Sequence, residues 1–251
     1  RQRGLRARGA RRDRRARCPA QVPLSALRAV LFDAGNTLLF LDYRRMAEGV
    51  GAALGLPLAG DALAAGAPAA ARAMESLRGP DRDRATAYLE TLFTLAGVPP
   101  ERLGEVRTCL AGLHQERHLW CSTAAGTRET LERLRAAGLR LGVVSNSDGR
   151  VDAALRAAGL RDCFEVVVDS ALFGAEKPDP AIFRAALDTL GVAPDEALYV
   201  GDLYEVDVLG ARAAGIDAIL LLPEIASAPD GVRRVASLNA LADQLLPGGR
   251  A

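Results

Sequence analysis

Gly126-Thr-Arg-Glu-Thr-Leu131-Glu-Arg-Leu134-Arg-Ala-Ala-Gly138-Leu139-Arg-Leu-Gly-Val-Val144-Ser145-Asn146 is one complete structural unit. Leu131 and Leu134 share a face at helical spacing, and Gly138 supplies a helix stop. Leu139–Val144 then reads as a buried strand ending on two polar residues. The unit recurs downstream. A helix over about 150–158 closes at Gly159, and a strand follows near 164–168. Pro180 stands at the start of a helix, where it fits, with Ile182, Phe183, Ala186, Leu187 and Leu190 on its apolar face and Gly191 as its stop. Ala197–Gly201 is a strand, 205–214 a helix and Ile216–Leu222 another strand. Upstream, Arg28-Ala-Val-Leu-Phe-Asp33 is a short buried strand closed by an acid. Strands alternating with helices predict an α/β fold, a parallel sheet with helices on both faces.

Residues 43–122 break the alternation with helical patterning alone. Gly and Pro punctuate the stretch near Gly55–Pro57, Gly79-Pro80 and Val98-Pro99-Pro100, giving four helices. We read 43–122 as an inserted α-helical cap domain. Residues 24–42 and 123–251 form the core around it. Residues 1–17 hold nine arginines and one aspartate, a charge of +8; against +1 overall, the rest of the chain carries −7. The Arg-rich segment lacks apolar periodicity, so residues 1–23 are expected to be a disordered, solvated tail.

Composition excludes several classes. Apolar residues make up 49% and charged residues 25%, as in ordinary globular domains. Nothing approaches the roughly 18 apolar residues of a membrane span. The first apolar run, 29–32, is too short for a secretory signal. Cys18, Cys109, Cys121 and Cys163 form no C-x-x-C pair, which suits a reducing cytoplasm. The −7 body gives no reason to expect nucleic-acid binding by the core.

Of 32 basic residues, 31 are arginine; the single lysine is Lys177, in Glu176-Lys177-Pro178-Asp179-Pro180. Lysine is a compact point charge that reaches a carboxylate or phosphate end-on, unlike the planar guanidinium. The other polar residues collect at strand ends, where open parallel sheets bind ligands. Asp33 closes the first strand, Ser145-Asn146 another, Gly201-Asp202 a third, with Asp207 following. Carboxylates, a hydroxyl and one ammonium at a single edge suit phosphoryl transfer to a carboxylate nucleophile. Such an oxygen-rich edge also suits Mg²⁺.

These stretches resemble the haloacid dehalogenase-like hydrolase superfamily. They are Phe32-Asp33-Ala34-Gly35-Asn36-Thr37-Leu38, Val143-Val144-Ser145-Asn146, Lys177-Pro178-Asp179-Pro180 and Val200-Gly201-Asp202-x4-Asp207-x2-Gly210-Ala211-x2-Ala214-Gly215, in the family's order, within about 28–222. The resemblance implies a Rossmann-like core with a cap that closes over a small phosphorylated substrate. It implies Asp33 as nucleophile, Ser145 and Lys177 as catalytic phosphate binders, and Thr37 and Asn146 completing the substrate-binding set. It also implies Mg²⁺ held by Asp33, the Gly35 carbonyl, Asp202 and Asp207.

One position departs. Phosphatases of this superfamily usually carry a second aspartate, an acid/base, where this chain has Gly35; losing such a group typically costs ~10²–10⁴ in rate. Asp42, Tyr43, His114 and His118 are candidates to replace it, with Arg44 and Arg45 as further substrate contacts. The two histidines stand four apart on an expected cap helix, where a solvated face is the simpler reading. Gly35 keeps two rivals open: a metal-independent dehalogenase-type hydrolase and a catalytically silent relative that binds a phospho-ligand or a protein.

Overall fold

The protein, seen in a computed structural model, is described over residues 22–74, 81–222 and 231–246. The Arg-rich stretch, Cys18 and the Gly79-Pro80 break lie outside the described residues. The chain begins with β1 (Ala29–Phe32), β2 (Phe40–Leu41), α1 (Tyr43–Leu54), α2 (Gly60–Met74), α3 (Asp81–Leu95) and α4 (Leu103–Glu116). It continues through β3 (Trp120–Ser122), α5 (Thr127–Ala136), β4 (Arg140–Ser145), α6 (Val151–Ala157), β5 (Val166–Asp169) and the single turn α7 (Ser170–Phe173). Then follow α8 (Pro180–Leu190), β6 (Ala197–Gly201), α9 (Leu209–Ala213), β7 (Asp217–Leu221), β8 (Arg234–Val235) and α10 (Leu238–Leu245).

Six strands form one parallel sheet in the order β5-β4-β1-β6-β7-β8. β1 is flanked by β4 on one side and β6 on the other, so the chain order reverses at β1. A crevice opens at such a switch point, beyond the carboxyl ends of the strands. Alternate β1 residues serve opposite faces, as the two-residue period of a strand requires. Val30 and Phe32 pack with Leu131 and Leu134 of α5, Leu155 of α6 and Leu241 of α10. Ala29 and Leu31 pack with Ile182 and Phe183 of α8 and Ala211 of α9. Both faces are therefore covered, which is why the strands read as near-continuous apolar runs.

Helices α1–α4 carry an apolar cluster of their own, built on Met46, Val50, Leu63, Leu92, Phe93 and Val106. Residues 43–122 are not wholly helical, however. β3 pairs antiparallel with β2, Phe40 opposite Ser122 and Leu41 opposite Trp120. This ribbon forms because the chain leaves the sheet and returns to it at the same place. Its two and three residues are too few to show a period in sequence. The helix expected over 205–214 opens instead with a wide π turn, Tyr204–Val208, before α9. β8 and α10, beyond the last expected strand, extend the sheet and cover one of its faces. Among the described residues, no helix is long and apolar enough to cross a membrane.

Candidate active site

Asp33 stands at the end of β1, where its N–H continues the ladder to Val200 O (2.8 Å). The chain turns at once: Leu38 and Leu39 N–H both donate to Ala34 O, and Asn36 adopts a left-handed φ of 54°, a conformation that asparagine tolerates better than most residues. Asn36 Nδ2 reaches Asp202 Oδ2 (3.3 Å). The loop is thereby tied across to the end of β6.

Lys177 is buried, and its ammonium makes three bonds. Nζ donates to Asp33 Oδ1 (2.6 Å), Asp207 Oδ1 (2.7 Å) and Tyr199 OH (3.0 Å). An ammonium has three donors, so all are used. Asn146 fixes the lysine's backbone from β4's end: Lys177 N donates to Asn146 Oδ1 (2.7 Å), and Asn146 Nδ2 donates to Lys177 O (3.0 Å). Tyr199 OH lies 3.0 Å from Val144 O and 3.2 Å from Asp207 Oδ1. Leu203 N–H donates to Asp207 Oδ2 (2.9 Å). Gly201 makes this approach possible, because a Cβ there would stand 2.4 Å from Asp207 Cγ.

Charge crowding shows in the acidities. Burial, the largest cause, raises the Asp33 carboxyl to about 6, with Asp207 adding to the rise and Lys177 opposing it. Loss of hydration and the neighbouring Asp33 and Asp207 push Asp202 well above its usual range. The Lys177 ammonium is held well above its ordinary value despite burial, because Asp207 and Asp33 face it. Carboxylate oxygens of Asp33, Asp202 and Asp207 all lie within 4.8 Å of one another. With all three ionised, three carboxylates against one ammonium would carry an excess of two negative charges, the crowding that raises Asp33 and Asp202. An all-oxygen set with that excess fits a hard divalent cation.

Ser145 is buried at the end of β4, level with Asp169 of β5. Asp169 shapes the loop that follows Ser145: its Oδ1 accepts from Gly149 N (3.0 Å) and Ala171 N (3.1 Å), its Oδ2 from Val151 N (3.2 Å). Thr37 is buried on the turn after Asp33, and its Oγ1 has no hydrogen-bond partner.

The residues considered as replacements for the missing acid have other partners. Asp42 caps α1 through Arg45 N (3.0 Å) and pairs with Arg117 (3.0 Å). Arg44 pairs with Glu48, and Arg45 binds the carbonyls of Leu113 and Arg117. Tyr43 OH meets Tyr88 OH (3.2 Å). The Tyr88 hydroxyl is driven up mainly by burial, then by its bond to Tyr43, with Asp202 the smallest contributor. His114 is on α4, but that helix ends at Glu116 and His118 lies beyond it. Neither is on a solvated face: His114 Nε2 is 2.8 Å from Asp148 Oδ2, and His118 Nε2 is 3.7 Å from Asp148 Oδ1. The three groups are close enough to hold a metal ion. Yet Leu119 N–H donates to His114 Nδ1 (3.3 Å), which places the neutral ring's proton on Nε2, facing Asp148. Burial and His114 keep His118 below its usual pKa. With Arg150 donating to His114 O (2.7 Å), these groups pin the end of α4 to the loop after β4.

Sequence reading misses Tyr199, Tyr88, Asp169 and Trp120. Tyr199 lies inside an apolar strand and reads as core, and Asp169 reads as an ordinary strand end.

Comparisons with known proteins point to one family. A family model for haloacid dehalogenase-like hydrolases matches residues 27–215. The mouse haloacid dehalogenase-like hydrolase domain-containing protein 3 is 39% identical over 130 residues, 51% of each chain. A phosphoglycolate phosphatase of Rhodospirillum rubrum is 42% identical over 122 residues, 48% of each. The matched stretches thus span about half the length of these relatives. The crystal structure of a phosphatase from Thermococcus onnurineus superposes with a TM-score of 0.57 at 25% identity, over 90% of this chain and 100% of that one.

Proposed function

This chain belongs to the haloacid dehalogenase-like hydrolase family, and we propose that it is a Mg²⁺-dependent phosphatase acting on a small phosphorylated metabolite through an aspartyl phosphate on Asp33. The observation that carries the reading is Lys177 Nζ at 2.6 Å from Asp33 Oδ1, inside a cluster with two further carboxylates. A metal-free dehalogenase would leave that excess negative charge facing an anionic substrate. We take α1–α4 to be the cap and the β2–β3 ribbon to be its junction with the core.

Asp33 attacks phosphorus, and the bond from phosphorus to the leaving oxygen breaks, the oxygen keeping the electron pair. Lys177 lowers the repulsion between carboxylate and phosphate and balances charge on the non-bridging oxygens. Ser145 binds a phosphate oxygen, while Asn146 acts by holding Lys177. Water then attacks phosphorus, the bond from phosphorus to the Asp33 oxygen breaks, and the carboxylate is regenerated as dihydrogen phosphate leaves with both of the water's protons. Asp33, Asp202 and the Gly35 carbonyl would hold Mg²⁺, which screens charge on the transferring group. Asp207, already bonded to Lys177, Tyr199 and Leu203 N, borders that set and orients the lysine.

The test is phosphate release from an aryl phosphate with Mg²⁺ and with chelator, beside Asp33→Asn. Release that requires both Mg²⁺ and Asp33 is expected. Release unchanged in chelator would favour the metal-independent rival, and ligand binding without product would favour the silent one.

A further inference from the structure

We propose that the indole N–H of Trp120 contacts the leaving group, and that the protein therefore favours phosphoryl donors whose leaving group departs without a proton: acyl phosphates, phosphoanhydrides and activated aryl esters. This rests on the phosphatase reading above. Trp120 is the single tryptophan of the chain. It opens β3 and packs against both the sheet's cluster and the cluster of α1–α4, so it stands at their seam. Its Nε1 is buried and has no hydrogen-bond partner. A buried donor left without a partner is unfavourable, and a bound acceptor relieves it.

Its place decides what that acceptor is. A Cβ on Gly35 would stand 3.6 Å from Trp120 Nε1 and 3.7 Å from its Cδ1. The indole edge therefore borders the space that a side chain at 35 would enter, two residues from the nucleophile. Thr37, on the same turn, also holds its buried Oγ1 without a partner. Two buried polar groups without partners thus belong to, or lie against, the turn that follows Asp33.

An indole N–H donates a hydrogen bond but does not give up its proton near neutral pH. Among the described residues, the groups considered for that role are engaged elsewhere. From Ala34 to Leu39 no side chain is titratable. Asp42 is held by Arg117, His114 faces Asp148, and Tyr43 faces Tyr88. Asp202 belongs to the proposed metal set. As the bond to phosphorus breaks, the leaving oxygen keeps its electron pair and accepts the Trp120 hydrogen bond. It leaves as an anion, so its basicity sets the rate.

The test is a series of aryl phosphates of graded leaving-group pKa, with acetyl phosphate and glycerol phosphate as extremes. Wild type, Trp120→Phe and Gly35→Asp are compared with Mg²⁺, and each fold is checked by thermal melting. Wild-type kcat should fall steeply with leaving-group pKa, acetyl phosphate far outrunning glycerol phosphate. Trp120→Phe keeps the ring and loses the donor: kcat should drop about tenfold or more, most for the basic leaving groups, with KM little changed. Gly35→Asp places a carboxyl beside the indole and should flatten the dependence. A flat dependence in wild type, or Trp120→Phe within twofold across the series, overturns the proposal while leaving the phosphatase reading intact. No release from any member of the series sinks both.

Discussion

Lys177 Nζ lies 2.6 Å from Asp33 Oδ1, joining residues 144 apart in sequence within the buried end of the sheet. The bond binds the loop before α8 to the central strand and gives the proposed nucleophile its counter-charge. Lys177→Met should abolish turnover and leave two buried carboxylates uncompensated, a loss of about 3–5 kcal/mol measurable by urea unfolding. Lys177→Arg should restore charge but not activity, because a planar fork does not meet three acceptors around one point.

Tyr199 supports that lysine from beneath. Its hydroxyl contacts Lys177 Nζ, Asp207 Oδ1 and Val144 O. Tyr199→Phe should cost about 1–3 kcal/mol of stability and reduce kcat several-fold with little change in KM. Unfolding curves and steady-state kinetics check both.

Gly201 and Asp207 cannot both stay where they are once residue 201 has a side chain, given the 2.4 Å separation. Gly201→Ala should displace Asp207, loosen Lys177 and lower activity more than tenfold, at about 1–3 kcal/mol in stability. A folded variant with full turnover would contradict the placement of Asp207.

The raised Asp33 carboxyl makes stability depend on pH. Its folded-state pKa is about 6, against an ordinary 3.8, so folding favours the protonated form. That contribution is present below about pH 4 and lost as pH rises through 6; two units correspond to about 3 kcal/mol. In chelator the protein should lose stability between pH 4 and 6, and Asp33→Asn should make the curve shallower, leaving the share of Asp202, which is raised as well. The surface carboxylates paired with arginine, such as Asp162 at about 2, act below this window.

Asp42→Asn keeps a capping oxygen on α1 and weakens only the pair with Arg117. Turnover should stay within twofold of wild type. A large loss of kcat would restore Asp42 as a candidate acid.

The central sheet is legible because β1, β4 and β6 are apolar runs ending on Asp33, Ser145 and Gly201, and because helices with glycine stops separate them. The lone lysine and the strand-end acids are legible for the same reason: each breaks a local pattern. Tyr199 breaks none, since a tyrosine in an apolar strand is an ordinary core residue until Lys177 is found against its hydroxyl. Trp120 and the ribbon it opens are set by where the chain re-enters the sheet, a long-range event without a local signature. The histidines mislead because spacing by four suggests a helix face, whereas α4 ends between them.

The most direct test of the central claim is acid quenching during Mg²⁺-supported turnover, with the phosphoryl group located by peptide mass spectrometry. The account predicts a hydroxylamine-labile phosphoryl increment on the peptide bearing Asp33, absent from Asp33→Asn, which should not turn over. Sustained turnover by Asp33→Asn at the wild-type rate, with no label on that peptide, would contradict it.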